Sequence, residues 1–201
     1  APASGPSERA GTNVKVLGTN FVDAPALQCR FGAVLVPATF VDASEVHCSA
    51  PPLDTAVLES MQMANYYPQQ LRGSLVSFEV STNGQDFTSS GHEFLYLEDI
   101  EVSTLSRRKG PSRGGTPIFI SGSNFVNNTQ LRCRFGSETT PAHFLTRENV
   151  LCFAPAIHGK NYLNSIKEKS FSLSVSNNAE DYVFFGDFTY TSSTPGGTYQ
   201  A

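Results

Sequence analysis

An internal repeat constrains the fold of this chain more than any other feature. When the sequence is shifted by 104 positions, residues 11–51 align with residues 115–155, and 18 of these 41 positions are identical. The longest matches are Asn20-Phe21-Val22 with Asn124-Phe125-Val126, and Cys29-Arg30-Phe31-Gly32 with Cys133-Arg134-Phe135-Gly136. Composition does not produce ordered identities of this kind. The 201 residues are therefore predicted to contain two copies of one domain of about 100 residues.

The two copies differ in length. Further along the chain the offset falls from 104 to 95, where Val80-Ser81 aligns with Val175-Ser176. The first copy therefore carries nine extra residues (104 − 95), which we place in a segment within residues 53–73. Because inserted backbone must meet water, such insertions usually lie in surface loops.

The alignment predicts a first domain of residues 1–99, a second domain of residues 100–191 and a flexible tail of residues 192–201. Copy two opens with an alternating strand, whereas copy one has little sequence before its equivalent turn. The first strand of copy one is thus expected to be missing or shortened, and the chain to be a trimmed piece of a longer protein. The short connection between the copies leads us to expect domains arranged end to end.

Short alternating runs, such as residues 76–80 and 171–175, are typical of half-buried strands. The predicted fold class is all-β, with two tandem immunoglobulin-like β-sandwiches. Asn83-Gly84 between alternating runs predicts a type I′ hairpin turn. Gly114-Gly115, together with Gly18 and its counterpart Gly122, are expected to adopt turn conformations that other residues avoid. The predicted inward-facing residues are Val14, Val16, Leu27, Cys29 and Phe31, with their counterparts in copy two.

The composition argues against several classes of function. No segment approaches the roughly 20 apolar residues that a membrane helix requires, and the formal net charge is −4. The chain has no Gly-rich phosphate loop and no Gly-x-Ser-x-Gly motif, and its histidines do not lie at metal-ligand spacing from other candidate ligands. We therefore expect a protein that is not an enzyme and that carries no cofactor and no metal.

The repeat unit resembles the IPT/TIG domain family, the immunoglobulin-like domains of plexins, Met-type receptors and many large surface proteins. The resemblance rests on an ordered set of motifs that recurs in both copies. In copy two these are Gly110-Pro111-Ser112-Arg113-Gly114-Gly115-Thr116, Gly122-Ser123-Asn124-Phe125, Cys133-Arg134-Phe135-Gly136, Val150, Cys152, Ala154-Pro155, Phe188 and Tyr190. Copy one departs at Glu8-Arg9-Ala10, where the family prefers a Gly pair. The resemblance implies an immunoglobulin-like module of a larger protein.

Four cysteines allow three pairings, and the symmetry of the repeat selects one of them. The predicted bridges join Cys29 to Cys48 and Cys133 to Cys152, since any other choice would tie the two copies together. Free buried thiols in a cytosolic protein are the main alternative. A zinc site is disfavoured because no two cysteines have the close spacing that such sites use. Two equivalent bridges indicate an oxidising, extracellular or cell-surface location.

Four further residues are candidate modification or contact sites. Asn127-Asn128-Thr129 is an N-glycosylation sequon, which predicts a glycan on Asn127. Tyr66 and Tyr67 lie in the extra segment of copy one, where they either contact a partner or fold back onto the sandwich. Arg107 and Arg108 begin a basic cluster with Lys109 and Arg113. This cluster is either a solvated loop, a protein contact or a nucleic-acid contact, although the acidic chain argues against DNA.

Acidic residues meet where the two copies join. Glu98, Asp99 and Glu101 lie within four positions of one another, and extracellular tandem modules sometimes hold calcium with several such oxygen ligands. No calcium-loop motif is present, so exposed surface carboxylates are the alternative.

The predicted function is that of an extracellular structural or adhesive module within a larger cell-surface, matrix or surface-filament protein. Its partners would be other proteins, either neighbouring domains of the same chain or further copies in self-assembly. A glycan-binding or ligand-binding accessory module is the alternative, with Tyr66, Tyr67 and Tyr162 as candidate aromatic contacts. DNA binding, known for other IPT domains, is the third hypothesis. Direct membrane insertion is not expected.

Overall fold

The computed structural model describes residues 3–53, 73–157 and 168–192. The chain divides into two compact units, Ala1–Asp99 and Ile100–Ala201. All regular secondary structure in the described residues is β, which confirms the predicted fold class. Within these residues there is no helix of the length and hydrophobicity needed to cross a membrane.

The described part of the first unit contains seven strands. They are β1 (Ser4–Pro6), β2 (Asn13–Leu17), β3 (Gln28–Phe31), β4 (Val34–Asp42), β5 (Glu45–Ser49), β6 (Gly73–Ser81) and β7 (Glu93–Leu97). Their hydrogen-bonded order is β1-β7-β6-β3-β4-β5-β2. All neighbours are antiparallel except β1 and β7, which are parallel.

Eight strands lie in the described residues of the second unit. They are β8 (Glu101–Leu105), β9 (Lys109–Pro111), β10 (Pro117–Ser123), β11 (Arg132–Phe135), β12 (Glu138–Thr146), β13 (Asn149–Phe153), β14 (Glu168–Ser176) and β15 (Val183–Thr191). The order β8-β10-β13-β12-β11-β14-β15-β9 reproduces that of the first unit and adds β8 outside β10.

One long strand in each unit belongs to both layers of its sandwich. In β4, residues 34–37 pair with β3, whereas most of residues 38–42 pair with β5. β12 divides in the same way between β11 and β13. Pro37 and Pro141 stand at the two crossings. Proline donates no ladder hydrogen bond, so it fits the point where a strand leaves one partner for another.

Each unit has its own apolar core between the layers. The buried core of the first unit consists of Val14, Leu27, Cys29, Phe31, Val46, Cys48, Ala50, Val76, Phe78, Val80, Phe94 and Tyr96. The buried core of the second consists of Ile100, Ile118, Ile120, Phe125, Leu131, Cys133, Phe135, Val150, Cys152, Ala154, Leu173, Val175, Phe188 and Tyr190. The inward-facing positions inferred from alternation lie in these cores, except Val16, which is only half-buried.

A disulfide crosses each core. Cys29 on β3 is bonded to Cys48 on β5, with their Cα atoms 6.3 Å apart. Cys133 and Cys152 are bonded at the equivalent place, with Cα atoms 6.2 Å apart. Since β3 and β5 belong to different layers, each bridge ties the two layers of one sandwich together.

Two local expectations were wrong. The segment around Asn83 is not a type I′ hairpin turn, because that turn requires positive φ at both central residues and only Gly84 has it. Asn83 instead forms an Asx turn, its side-chain oxygen accepting hydrogen bonds from the amides of Gln85 and Asp86. Gly114 (φ 76°) and Gly115 (φ 78°) have the expected positive φ. Gly18 and Gly122 do not, whereas Asn20 (φ 64°) and Asn124 (φ 65°) have positive φ.

Candidate interaction site

The repeated Cys-Arg-Phe-Gly motif uses its arginine in packing. The guanidinium of Arg30 lies 4.2 Å from the ring centroid of Phe87 and is also paired with Glu79. Arg134 lies 3.9 Å from the ring centroid of Tyr182, the residue aligned with Phe87. A cation held over an aromatic face is a stabilising contact. These arginines are thereby engaged within their own units.

In each unit a buried tyrosine hydrogen-bonds to the backbone of a proline that follows a core strand. The hydroxyl of Tyr96 donates a hydrogen bond to the carbonyl oxygen of Pro51 at 3.0 Å, and Tyr190 donates to Pro155 at 2.9 Å. Burial raises the pKa of Tyr96 to about 12. The pKa of Tyr190 is raised too, first by burial and then by the charge of Glu138. Both phenols stay neutral donors over the physiological range, so their role is structural.

A row of polar side chains crosses the outer face of the β2–β5 layer in the first unit. Lys15 lies opposite His47 across the strand pair, and both side chains contact the carboxylate of Glu45. Hydrogen bonding, first from Lys15 and then from His47, lowers the pKa of the Glu45 carboxyl. The carboxylate therefore stays charged to a lower pH than an ordinary glutamate. Thr39 on β4 continues this row beside His47.

The same face of the second unit is apolar, and sequence reasoning overlooked it. Phe119 on β10 lies opposite Leu151 on β13, which lies opposite His143 on β12. The ring of Phe153 packs edge-on against His143 with centroids 5.7 Å apart. Phe119 is 47% exposed and Phe153 is 41% exposed. We call the face formed by Phe119, His143, Leu151 and Phe153 the aromatic face.

A signal for the aromatic face was present in the repeat alignment. Phe119, Leu151 and Phe153 align with Lys15, His47 and Ser49 of the first copy. Because the two copies share one fold, outward-facing positions that are polar in one copy and apolar in the other can be recognised from the alignment. Apolar surface of this kind is a common feature of contact sites.

Of the predicted contact residues, the two arginines lie in the described part of the structure and the tyrosines do not. Arg107 and Arg108 are exposed between β8 and β9, and the guanidinium of Arg108 lies close to Gly186. The neighbouring Lys109 is paired with Glu168 at 3.1 Å, which reduces the charge of the basic cluster. Tyr66, Tyr67 and Tyr162 lie outside the described residues, as does most of the extra segment.

The sequon lies in an exposed loop that is held at its base. Asn127 is exposed between β10 and β11. The buried side chain of Asn177 accepts a hydrogen bond from the amide of Val126 at 3.0 Å and donates one to the carbonyl of Asn124 at 2.8 Å. The loop backbone is thus anchored from within the unit, while the acceptor asparagine projects from the surface.

The acidic residues at the junction make contacts with other side chains. Asp99 forms an ion pair with Arg9 at 2.9 Å, and Glu101 accepts a 3.5 Å hydrogen bond from Ser123. In the described part of the chain, no group of three or more His, Cys, Asp or Glu side chains is arranged to hold a metal ion.

Comparison with known protein families gives one match for each copy of the repeat. The sequence profile of the IPT/TIG domain matches residues 1–96 and again residues 101–192. The chain belongs to the IPT/TIG domain family. This confirms the resemblance seen in the motifs, with two tandem IPT/TIG copies in one chain.

Similar proteins come from the plexins. The chain is 26% identical to plexin-A4 of Mus musculus and of Homo sapiens over 151 residues, which is 75% of this chain and 8% of each relative. The solved plexin A4 full extracellular region shares the fold, with a TM-score of 0.52 and 20% identity over 96% of this chain and 16% of that one. The IPT/TIG pair thus corresponds to a small part of these relatives.

The predicted extracellular or cell-surface location is confirmed by the plexin relatives together with the disulfides. Structural disulfides persist in oxidising compartments and are rare in the cytosol. Each IPT/TIG unit contains one such bridge across its core.

Proposed function

We propose that this IPT/TIG pair is a structural or adhesive module of a larger extracellular protein, where it mediates protein–protein interaction or spacing. The observation that carries the proposal is the pair of disulfide-bridged IPT/TIG sandwiches, similar in sequence to part of plexin-A4. A cross-linked core keeps such a unit rigid, so its loops and outer faces can be presented to partners in a fixed geometry.

We propose further that the chain is not an enzyme. The proposal is supported by the structural contacts of its ionisable groups, because Arg30 pairs with Glu79, Glu45 with Lys15, and Tyr96 with a backbone carbonyl. Catalytic acids and bases are usually shifted by burial in a cleft toward the working pH. Among the described residues, the carboxyl groups of Asp42 and Glu45 have a lowered pKa, which moves them away from neutrality.

Protein is the partner class that we propose, and glycan and nucleic acid are the alternatives. The acidic chain and the pairing of Lys109 with Glu168 argue against phosphate binding. The residues named for glycan binding, Tyr66, Tyr67 and Tyr162, lie outside the described part, so a glycan partner is left to experiment.

The test is a binding assay on intact cells. The chain is secreted from a eukaryotic host, biotinylated at its terminus and assembled on fluorescent streptavidin, since weak contacts gain from multivalency. Tetramers are applied to cells from the source organism before and after trypsin treatment, and in parallel after endoglycosidase treatment. We expect binding that trypsin removes and endoglycosidase leaves intact.

Three outcomes would contradict this role. Binding removed by endoglycosidase alone would show a glycan-binding module. Binding to a DNA fragment in an electrophoretic shift at physiological salt would favour the nucleic-acid alternative. Failure to secrete the chain with both bridges formed, shown by intact mass after blocking free thiols, would remove the extracellular assignment.

A further inference from the structure

Asn83-Gly84 is the only Asn-Gly pair in the sequence, and an Asn-Gly pair can change chemically without an enzyme. The backbone nitrogen of the glycine attacks the side-chain carbonyl carbon of the asparagine, and a succinimide ring forms. Because glycine has no side chain, it hinders this attack less than any other residue would. The turn between β6 and β7 therefore contains a reactive pair.

The overall reaction consumes water and releases ammonia. The nitrogen of Gly84 loses its proton to a base in the solvent and bonds to Cγ of Asn83. The bond between Cγ and Nδ2 then breaks, and Nδ2 leaves as ammonia after taking up a proton from water. A water molecule finally opens the ring at one of its two carbonyl carbons. One opening gives aspartate at position 83, and the other gives isoaspartate, whose main chain runs through the former side chain.

The folded turn directs the attacking nitrogen away from its target. The amide of Gly84 donates a hydrogen bond to Oγ of Ser81 at 2.9 Å, so its N–H points at the serine hydroxyl. An amide nitrogen is planar. In the succinimide, the bond from this nitrogen to Cγ of Asn83 therefore takes the direction that the N–H had before. The hydrogen bond to Ser81 and closure of the ring thus exclude each other.

The asparagine side chain is held in place as well. Its Oδ1 accepts hydrogen bonds from the amides of Gln85 at 2.9 Å and Asp86 at 2.8 Å. The hydroxyl of Ser81 donates to the same oxygen at 3.1 Å, and Nδ2 donates to Oδ2 of Asp86 at 2.8 Å. A side chain bound at both of its polar atoms cannot rotate toward the Gly84 nitrogen until the turn opens.

The second copy keeps this turn without the reactive pair. Asn178 forms the same kind of Asx turn, but the residue that follows it is Ala179. The φ angle of Ala179 is 61° and that of Gly84 is 76°, so the backbones are alike and the side chains differ. Asn178 is also buried, whereas Asn83 is exposed to water. Both differences favour reaction in the first unit.

We propose that Asn83 is a site of spontaneous deamidation, and that the hydroxyl of Ser81 controls the reaction by holding the amide of Gly84. Deamidation proceeds from the molecules in which this turn is open, and it is slow while the turn is closed. This modification goes beyond the proposed interaction role and does not depend on it.

The product cannot rebuild the turn. Aspartate at position 83 has no N–H to donate to Asp86 and places a second carboxylate beside it, and like charges repel. Isoaspartate has a longer main chain, so the amides of Gln85 and Asp86 lose their acceptor. The next residue, Phe87, carries the ring that lies under the guanidinium of Arg30. Deamidation is thus a one-way change that loosens this part of the surface of the first unit.

The test compares the full chain, with both disulfides intact, in the folded state and in denaturant. Each sample is incubated at neutral pH, and peptide mapping by mass spectrometry measures conversion at positions 83 and 178. An isoaspartate-specific methyltransferase labels the isoaspartate product. We expect conversion at position 83 alone in the folded chain, at least about tenfold slower than in denaturant, because the turn is open in a small fraction of molecules. Gly84→Ala should slow conversion in denaturant too.

A matched pair of variants tests the role of the serine. Ser81→Ala removes the acceptor of the Gly84 amide. It should accelerate conversion of the folded chain about fivefold, the factor that corresponds to one lost hydrogen bond, and leave the rate in denaturant unchanged. Thr88→Val is the control, because Thr88 accepts a hydrogen bond from the amide of Val80 at 3.0 Å in the same connection without touching Gly84. Hydrogen exchange of core amides shows that each variant is folded.

Three results would overturn the proposal. They are no conversion at position 83 even in denaturant, equal rates in the folded and denatured wild-type chain, and a folded Ser81→Ala variant that converts no faster than Thr88→Val. The second comparison needs no variant, so it decides the matter even where Ser81→Ala does not fold. None of these results bears on tetramer binding to cells.

Discussion

At the residue scale, aligned residues of the two copies make equivalent contacts. The Asx turn of Asn83 recurs at Asn178, whose side-chain oxygen accepts hydrogen bonds from the amides of Glu180 and Asp181. The side-chain amides of Asn83 and Asn178 donate to Asp86 and Asp181, at 2.8 and 2.7 Å respectively. Such pairs of equivalent residues provide a variant in one unit and its control in the other.

Replacing Tyr96 by phenylalanine tests the buried tyrosine of the first unit. The variant keeps the buried ring and loses the hydrogen bond to the carbonyl of Pro51. We expect the first unit to lose about 1 kcal/mol of unfolding free energy, measured by hydrogen exchange of its core amides in native conditions. Tyr190→Phe is the matched control and should affect only the second unit. A change below the measurement error in both variants would contradict the structural role of the hydroxyls.

The same variant changes the response to alkaline pH. An ordinary tyrosine titrates near 10.0, and burial raises the pKa of Tyr96 in the folded chain to about 12. The stabilising effect is therefore complete below about pH 10 and is lost as the pH rises towards about 12, because only the unfolded chain deprotonates between these values. Tyr96→Phe should flatten the pH dependence of first-unit stability in this range, measured by denaturant unfolding.

We propose that Asn127 carries an N-linked glycan, because its sequon is exposed in a loop of an extracellular domain. In chain secreted from a eukaryotic host, peptide N-glycosidase should lower the intact mass. Asn127→Gln and Thr129→Ala should each abolish that change, while Asn128→Gln, which keeps the sequon, should not. An unchanged mass for the secreted wild-type chain would refute the assignment.

At the element scale, β4 and β12 are the strands that connect the two layers of each sandwich in one continuous hydrogen-bonded order. β4 and β12 pair first with a strand of one layer and then with a strand of the other, and each has a register shift close to its end. Strand β8 packs against β10 through a glycine, since a side chain at Gly122 would overlap the carbonyl oxygen of Glu101.

The Gly122→Ala variant should displace β8. The added methyl group overlaps the backbone of Glu101, and backbone cannot rotate aside as a side chain does. We expect a loss of about 1–3 kcal/mol and faster exchange of amides in β8 and β10. Gly18→Ala is the control, because its methyl group meets only the movable ring of Phe21 and should cost less. An equal loss of stability in the two variants would contradict this account of how β8 packs on β10.

At the scale of the whole molecule, each unit has a separate core and its own disulfide. Their buried residues belong to two distinct clusters, so the free energy that holds one sandwich together comes from within that unit. The stabilities of the two units should therefore respond separately to changes in their cores.

Removal of one bridge tests this separation. Replacing Cys29 and Cys48 together by alanine opens a loop with a sequence separation of 19 residues. The first unit should lose about 3 kcal/mol of stability, with core amides of the second unit unchanged in hydrogen exchange. The Cys133 and Cys152 double variant should show the reverse pattern. Equal destabilisation of both units by either double variant would show a shared core.

The sequence was sufficient to predict the family and the all-β class. Duplicated motifs in one order and alternating apolar residues depend on local spacing, and local spacing can be read without knowing which strands meet. The aromatic face could have been found from the repeat alignment, since Phe119 and Phe153 replace polar residues of the first copy.

Contacts between residues that are far apart in the sequence could be established only from the tertiary structure. A sequence shows that Gly122 is glycine, but only the approach of Glu101 shows that close packing, rather than positive φ, requires it. The order of the strands likewise emerged only from the tertiary structure, because strand pairing joins residues that are far apart in the sequence.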